Sequence, residues 1–256
     1  MPDDVQAILE SGVLAITIHR PGSGNALNQA VLGGLQESFR RAGEDRAVRV
    51  VTITGAGDRV FCAGADLKAA LGSASAPFRP GDYRELLWEI LQCPKPTVAL
   101  ARGHVMAGGL GLLLACDLGF ACDDIWVSTP EINVGMFPMM VLALLCRHVG
   151  RKRAAEMAML GERIPARVAR EYAILNQTFP RAEFESETAR RIRSLADKSS
   201  RILRLGKEAF QRIEGRSLRE DLEFLEQALE AVMSSADSAE GIRAFVEKRT
   251  PKWRDE

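Results

Sequence analysis

"GHVMAGGLGLLLACD", residues 103–117, decides how this chain folds. It begins at the end of a strand, passes through Ala107, Gly108 and Gly109, and continues as an apolar run that reads as a buried helix. A strand entering a helix through a turn of small residues is a βα unit. Gly111 breaks the pattern, because glycine costs about 1 kcal/mol relative to alanine in a helix interior. A hole in a helix at that point calls for an explanation.

Outward from this unit the same alternation repeats. "PKPTVALARGHV" (94–105) reads as a single strand leading into it. Upstream, "VLAITIHRP" (13–21) is a β-rich run that stops at proline, and "AVRVVTITGAGD" (47–58) is a mostly buried strand ending in a glycine turn. Between them Leu27, Val31, Leu35 and Phe39 recur every four residues, which predicts a helix capped by Asn25 or Asn28. Downstream, "LGFAC" (118–122) is a short strand, "STPEINVGMFP" (128–138) a loop, and Pro138 to Pro180 mostly helical, with no strand expected after about residue 178. Alternating strands and helices predict an α/β fold with a largely parallel sheet. Leu218, Leu222, Leu225, Leu229 and Val232 form a helical stripe in the tail. The expected division is a core over 1–195 and an all-helical region over 196–256 that serves as an oligomer contact.

Composition narrows the function. The 256 residues carry 34 basic and 34 acidic side chains, so the net charge is zero and neither nucleic acid nor a membrane surface is an expected partner. Five cysteines, an odd number with no CxxC, predict buried free thiols in a reducing compartment, hence a cytoplasmic protein. The acidic start "MPDDVQAILE" lacks the features of a secretory or mitochondrial leader, and no apolar stretch is long enough to span a bilayer. GxSxG, GxxxxGK[ST] and HExxH are all absent, and "GAGDRV" lacks the third glycine of a dinucleotide loop. His19, His104 and His148 are scattered, so no metal site is expected.

Two small-residue turns remain, "FCAGADL" (61–67) and "VMAGGLG" (105–111), each following a strand. The first N–H groups of a helix have no intrahelical partner and sit at the positive end of its dipole. Two such turns face to face would aim two N–H donors at one oxygen, an oxyanion hole. Small residues also serve simply to let a helix pack close to a strand.

The order of segments resembles the crotonase superfamily, the enoyl-CoA hydratase/isomerase family. "RPGSGNALN", "VVTITGAGDRVFCAGADLKA", "PKPTVALARGHVMAGGLGLLLACD", "TPEINVGMFP", "GRKRAAEMAMLGERIPARVAREYAILNQTFP" and "DSAEGIRAFVEKRTPKW" match its segments in sequence order, over nearly the whole chain. The resemblance implies a ββα spiral core with a C-terminal helical region, a homotrimer or dimer of trimers, and an acyl-CoA thioester substrate, with coenzyme A part of the substrate and no separate cofactor. By motif position the oxyanion donors would be the N–H groups of Ala65 and Gly108. Ala63, Gly64, Ala65, Asp66 and Leu67 match the loop around the pantetheine and thioester, and Asn25, Ala26 and Leu27 the segment near the nucleotide.

The family's hydratases hold water between two glutamates. The second is Glu131 here, after Pro130 in the "PE" loop; the first falls on Gly111. The hole in the helix is therefore where an acid would be. One carboxylate suits proton transfer from one carbon to another, so double-bond isomerisation ranks above hydration, with thioester hydrolysis, decarboxylation and non-catalytic acyl-CoA binding behind. Its apolar neighbours Ile132, Val134, Met136, Phe137 and Pro138 are expected to raise the pKa of Glu131, although a loop glutamate can also simply cap a turn. Gly111 and the Met-rich "MFPMMVLALLCRHV" (136–149) point to an enlarged acyl pocket. Gly24 stands where relatives often carry a basic residue, which removes one expected contact to coenzyme A.

Overall fold

A computed structural model of the chain describes residues 4–66, 79–213 and 217–255. Strands β1 (Val5–Glu10) and β2 (Val13–Ile18) pair antiparallel. Ser11 and Gly12 between them both have positive φ, 50° and 80°. A two-residue turn of that kind matches the twist of the strands it joins. The hairpin adds a strand upstream of the first one legible in the sequence.

The rest of the core is one pattern used three times. β3 (Val50–Gly55), β5 (Thr97–Ala101) and β7 (Leu118–Cys122) lie side by side and parallel in a six-stranded sheet of order β1-β2-β3-β5-β7-β10, with β10 (Gln177–Phe179) at its edge. After each, the chain crosses to a smaller sheet and forms β4 (Val60–Cys62), β6 (His104–Met106) or β8 (Trp126–Ser128). These three are also adjacent and parallel, in the order β4-β6-β8. Because they run side by side and parallel, with one irregularity between Val60 and Cys62, the residues leaving their ends emerge together: Ala63 after β4, Ala107 after β6 and Thr129 after β8. Three segments distant in sequence thus meet at one place.

The "PKPTVALARGHV" run is therefore two strands in two sheets, broken at Arg102–Gly103. The supposed loop 128–138 contains the end of β8 and a 3₁₀ turn over Pro130–Val134. Within the expected helical stretch, β9 (Ile164–Pro165) pairs with β8 and β10 (Gln177–Phe179) with β7. Strands of two and three residues carry no periodicity of their own; their neighbours create them.

Helix α1 (Gln29–Glu44) is capped by Asn28, whose side chain accepts from the Val31 N–H at 2.8 Å. Its buried Val31, Leu35 and Phe39 follow the fourfold spacing seen in the sequence. Burying each such side chain is worth about 1.5–3 kcal/mol. Helix α2 (Pro80–Gln92) has proline in its first turn and buries Tyr83, Leu86, Leu87 and Ile90, a 3-4-7 stripe. Helix α3 (Gly108–Ala115) is buried almost throughout, as its sequence implies. Helix α4 (Met139–Leu160) turns at Gly150 and is followed by α5 (Ala166–Glu171) and α6 (Phe184–Ala196).

The C-terminal helices are α7 (Ser200–Arg212), α8 (Leu218–Met233) and α9 (Ala236–Glu247). Arg49 ties this region to β3: its guanidinium donates to the carbonyls of Ala196 and Lys198, both at 2.6 Å, and pairs with Asp255. The Lys207 ammonium donates to the Lys95 carbonyl and pairs with Asp117. The α8 stripe, by contrast, is not buried within the chain: Leu218, Leu222 and Leu229 are exposed. Among the described residues no helix is long and apolar enough to cross a membrane. Four cysteines, Cys62, Cys93, Cys116 and Cys122, are buried free thiols, whereas Cys146 is exposed.

Candidate active site

The turns after β4 and β6 touch. At Gly64, where φ is +86°, a Cβ would lie 2.6 Å from the Ala107 Cβ and 2.9 Å from the Gly108 nitrogen. Only glycine permits both that backbone and that approach. The first turn is also stitched to residue 27: the Leu27 N–H donates to the Gly64 carbonyl at 2.8 Å, and the Asp66 N–H to the Leu27 carbonyl at 3.0 Å. Around these turns the amides of Ala63, Asp66, Ala107 and Leu110 all have backbone acceptors. The Ala65 and Gly108 amides have none among the described residues, and both residues line one cavity of about 650 Å³. Unspent donors at a cavity wall, one of them at a helix N-terminus, are what an oxyanion requires.

Glu131 lines the same cavity. Its turn is fixed at both ends. The fully buried Thr129 donates its hydroxyl to the Met157 carbonyl at 2.8 Å, and Glu131's own carbonyl accepts from the Met136 N–H at 3.0 Å. The carboxyl is half-buried; its Oε2 is shielded from solvent and has no hydrogen-bond partner among the described residues. Burial pushes its pKa above the ordinary glutamate value, opposed by its own backbone amide. Such a group is a stronger base when ionised and accepts a proton more readily. The far wall is apolar, from Met136, Phe137, Met139, Met140 and Val141.

A second carboxylate, Asp66, also lines the cavity, but it is committed. Arg20 pairs with it at 3.0 Å, and the same guanidinium donates to the Ala26 carbonyl and approaches Asp4 at 3.3 Å. The Cys62 thiol beneath the turn is pushed up to about 12 by burial, so it stays protonated.

Gly111 does not widen the acyl pocket as the sequence suggested. The Tyr83 hydroxyl oxygen lies only 2.0 Å from where a Cβ on Gly111 would be, with Tyr83 Cζ and Val141 Cγ2 each 3.2 Å from that point. The hydroxyl donates to the Gly108 carbonyl at 2.6 Å. Tyr83 is 2 % exposed yet its ring forms part of the cavity wall.

Of the residues singled out in the sequence, Leu27, Ala63, Ala65, Asp66, Gly108, Pro130 and Glu131 come together at the cavity. Gly64 spaces the two turns, and Leu67 lies outside the described residues. Asn25 and Ala26 are buried and do not line the cavity. Asn25 holds the loop instead: its amide donates to the Ala56 and Val60 carbonyls at 3.1 and 2.7 Å and accepts from the Arg20 N–H at 3.0 Å. Arg20 and Tyr83 escaped the sequence reading. The stripe Tyr83, Leu86, Leu87 and Ile90 carries helical spacing, a signal that could have marked α2, but nothing in it points Tyr83 at Gly111. Among the described residues no group of three or more His, Cys, Asp or Glu side chains is placed to hold a metal.

Residues 9–256 match the family model for enoyl-CoA hydratase/isomerase. The chain is 33 % identical over 245 residues to the 2,3-dehydroadipyl-CoA hydratase of Escherichia coli, covering 94 % of this chain and 95 % of that one. It is 32 % identical over 248 residues to the mitochondrial enoyl-CoA hydratase domain-containing protein 3 of Homo sapiens, covering 96 % and 82 %. The crystal structure of an enoyl-CoA hydratase from Bacillus anthracis superposes with a TM-score of 0.92 at 30 % identity, over 99 % of this chain and all of that one.

Proposed function

The chain belongs to the enoyl-CoA hydratase/isomerase family, an enzyme family acting on acyl-CoA, and from that premise we propose that it moves the double bond of an enoyl-CoA, with Glu131 carrying the proton. The observation that carries this reading is that Glu131, whose buried Oε2 has no hydrogen-bond partner among the described residues, lines the same cavity as the unspent Ala65 and Gly108 amides. In a 3-enoyl thioester the ionised Glu131 takes a proton from C2. The electrons pass to the thioester oxygen, giving a dienolate whose charge the two N–H groups hold. The carboxyl then returns the proton to C4, and the double bond comes to rest between C2 and C3. Fixed dipoles favour the dienolate over the neutral substrate because they need not reorganise as charge develops. Replacing Glu131 with glutamine should lower kcat about 10²–10⁴-fold while acyl-CoA binding persists.

Hydration is the second reading. Its support is that the Escherichia coli and Bacillus anthracis relatives are both hydratases. It would need a water-holding partner for Glu131 other than Asp66, which Arg20 occupies.

The exposed apolar residues of α8 and α9, Leu218, Leu222, Met233, Ile242, Phe245 and Val246 among them, support a homo-oligomer built through the C-terminal helices. Light scattering on the purified chain tests this: a monomer at working concentration contradicts it.

A further inference from the structure

We infer that Tyr83 is a positioning residue of the oxyanion hole: its hydroxyl anchors Gly108 so that the Gly108 N–H keeps facing the cavity. This rests on the enolate reading above. Ala107, which precedes Gly108, has φ of 49° and ψ of −127°, outside the regions an L-residue favours. Strain of this kind costs about 1–3 kcal/mol and persists only where the surroundings impose it.

A relaxed alternative exists nearby. Turning the Ala107–Gly108 peptide through half a rotation would bring Ala107 into the left-handed region, near φ and ψ of about +50°. Glycine at 108 tolerates the accompanying change in its own φ. That flip would point a carbonyl oxygen into the cavity in place of the N–H, and repel an enolate instead of binding it.

What opposes the flip is a set of hydrogen bonds on either side of that peptide. The Ala107 N–H donates to the Ser128 carbonyl at 3.0 Å, and the Leu110 N–H to the Ala107 carbonyl at 2.9 Å. On the far side, Tyr83 holds the Gly108 carbonyl at 2.6 Å. That carbonyl also faces the helix N–H four residues on, so a side-chain donor there is not needed to satisfy it. Tyr83 remains a donor: burial, with the nearby Cys62 and Glu131 adding to it, keeps the phenol protonated well above its ordinary range. The absent side chain at 111 is the condition that lets the hydroxyl reach Gly108.

Tyr83→Phe tests the inference, since it keeps the ring and removes only the hydroxyl. Two readouts separate positioning from packing. The first is kcat against KM for the enoyl-CoA reaction. The second is the absorption of a bound, unreactive arylacryloyl-CoA, which moves to the red as its carbonyl is polarised. The expected result is a loss of roughly tenfold or more in kcat, KM within about twofold, and a diminished red shift. Wild-type kcat and red shift in the variant, or a loss confined to KM, overturn it. If the variant does not fold, the chain's two tyrosines give another route. In a Tyr172→Phe background, 3-fluorotyrosine enters only at 83, where its more acidic hydroxyl should deepen the red shift; an unchanged shift overturns the inference. A wild-type protein that reddens the bound thioester and turns over no enoyl-CoA would refute the proposed reaction while the effect of the hydroxyl on the red shift still decides the role of Tyr83.

Discussion

Tyr83 and Gly111 share one volume: the hydroxyl oxygen of the first lies 2.0 Å from where a Cβ of the second would be, too close for both to be present. The two residues come from different helices, α2 and α3, and a side chain added at 111 must displace the hydroxyl of Tyr83. Gly111→Ala would ordinarily gain about 1 kcal/mol in helix propensity. Here it drives a methyl into the phenol oxygen, and overpacking of that kind costs about 1–3 kcal/mol. Chemical denaturation should therefore show a net loss of stability for Gly111→Ala. Combining it with Tyr83→Phe should recover part of that loss, because the nearest remaining ring atom stands 3.2 Å away. Strict additivity of the two changes would contradict the shared volume.

Gly64→Ala should damage the site more than the fold. The new methyl meets the Ala107 Cβ and the Gly108 nitrogen and forces the two turns apart. Since one misplaced oxyanion donor can cost about 10²–10³ in kcat, the kinetic defect should exceed any change in KM. Steady-state kinetics at saturating substrate reads this directly.

Asn25→Ala should do the reverse. Its three hydrogen bonds hold the loop, and removing them leaves the Ala56 and Val60 carbonyls and the Arg20 N–H without that partner. A stability loss of about 2–3 kcal/mol is expected, with KM for the acyl-CoA changed by less than about threefold. A large KM effect with unchanged stability would return Asn25 to the substrate-binding role that its motif position suggests.

Glu131 also leaves a mark on stability against pH. Its pKa is raised in the folded chain by burial, so the folded state binds the proton more tightly than the unfolded state. Its favourable contribution is full below the ordinary glutamate value and is lost as pH rises through the raised folded value. Glu131→Gln should thus be more stable than wild type at neutral pH, and the advantage should vanish in acid below the ordinary value. An equal difference at both ends of the range would mean that burial does not perturb this carboxyl.

Much of this was legible in the residues. The fourfold spacing of Val31, Leu35 and Phe39, the small residues at 63–65 and 107–109, and Glu131 after Pro130 all mark elements that the fold brings to one cavity. What was not legible depends on neighbours in space. β9 and β10 are too short to show a period, and the split of residues 94–105 between two sheets depends on how the three spiral turns stack. Gly111 was visible as a missing side chain, but the sequence could not say what fills its place, since Tyr83 lies 28 positions away on another helix.

The most direct test of the account is mass spectrometry of a 3-enoyl-CoA incubated with the wild-type enzyme and with Glu131→Gln, in water and in D₂O. The expected outcome is conversion to the 2-enoyl isomer with no gain of water, deuterium entering from D₂O at most at the two carbons that exchange the proton, and neither change with Glu131→Gln. Product heavier by one water, or isomerisation that survives Glu131→Gln, would contradict it.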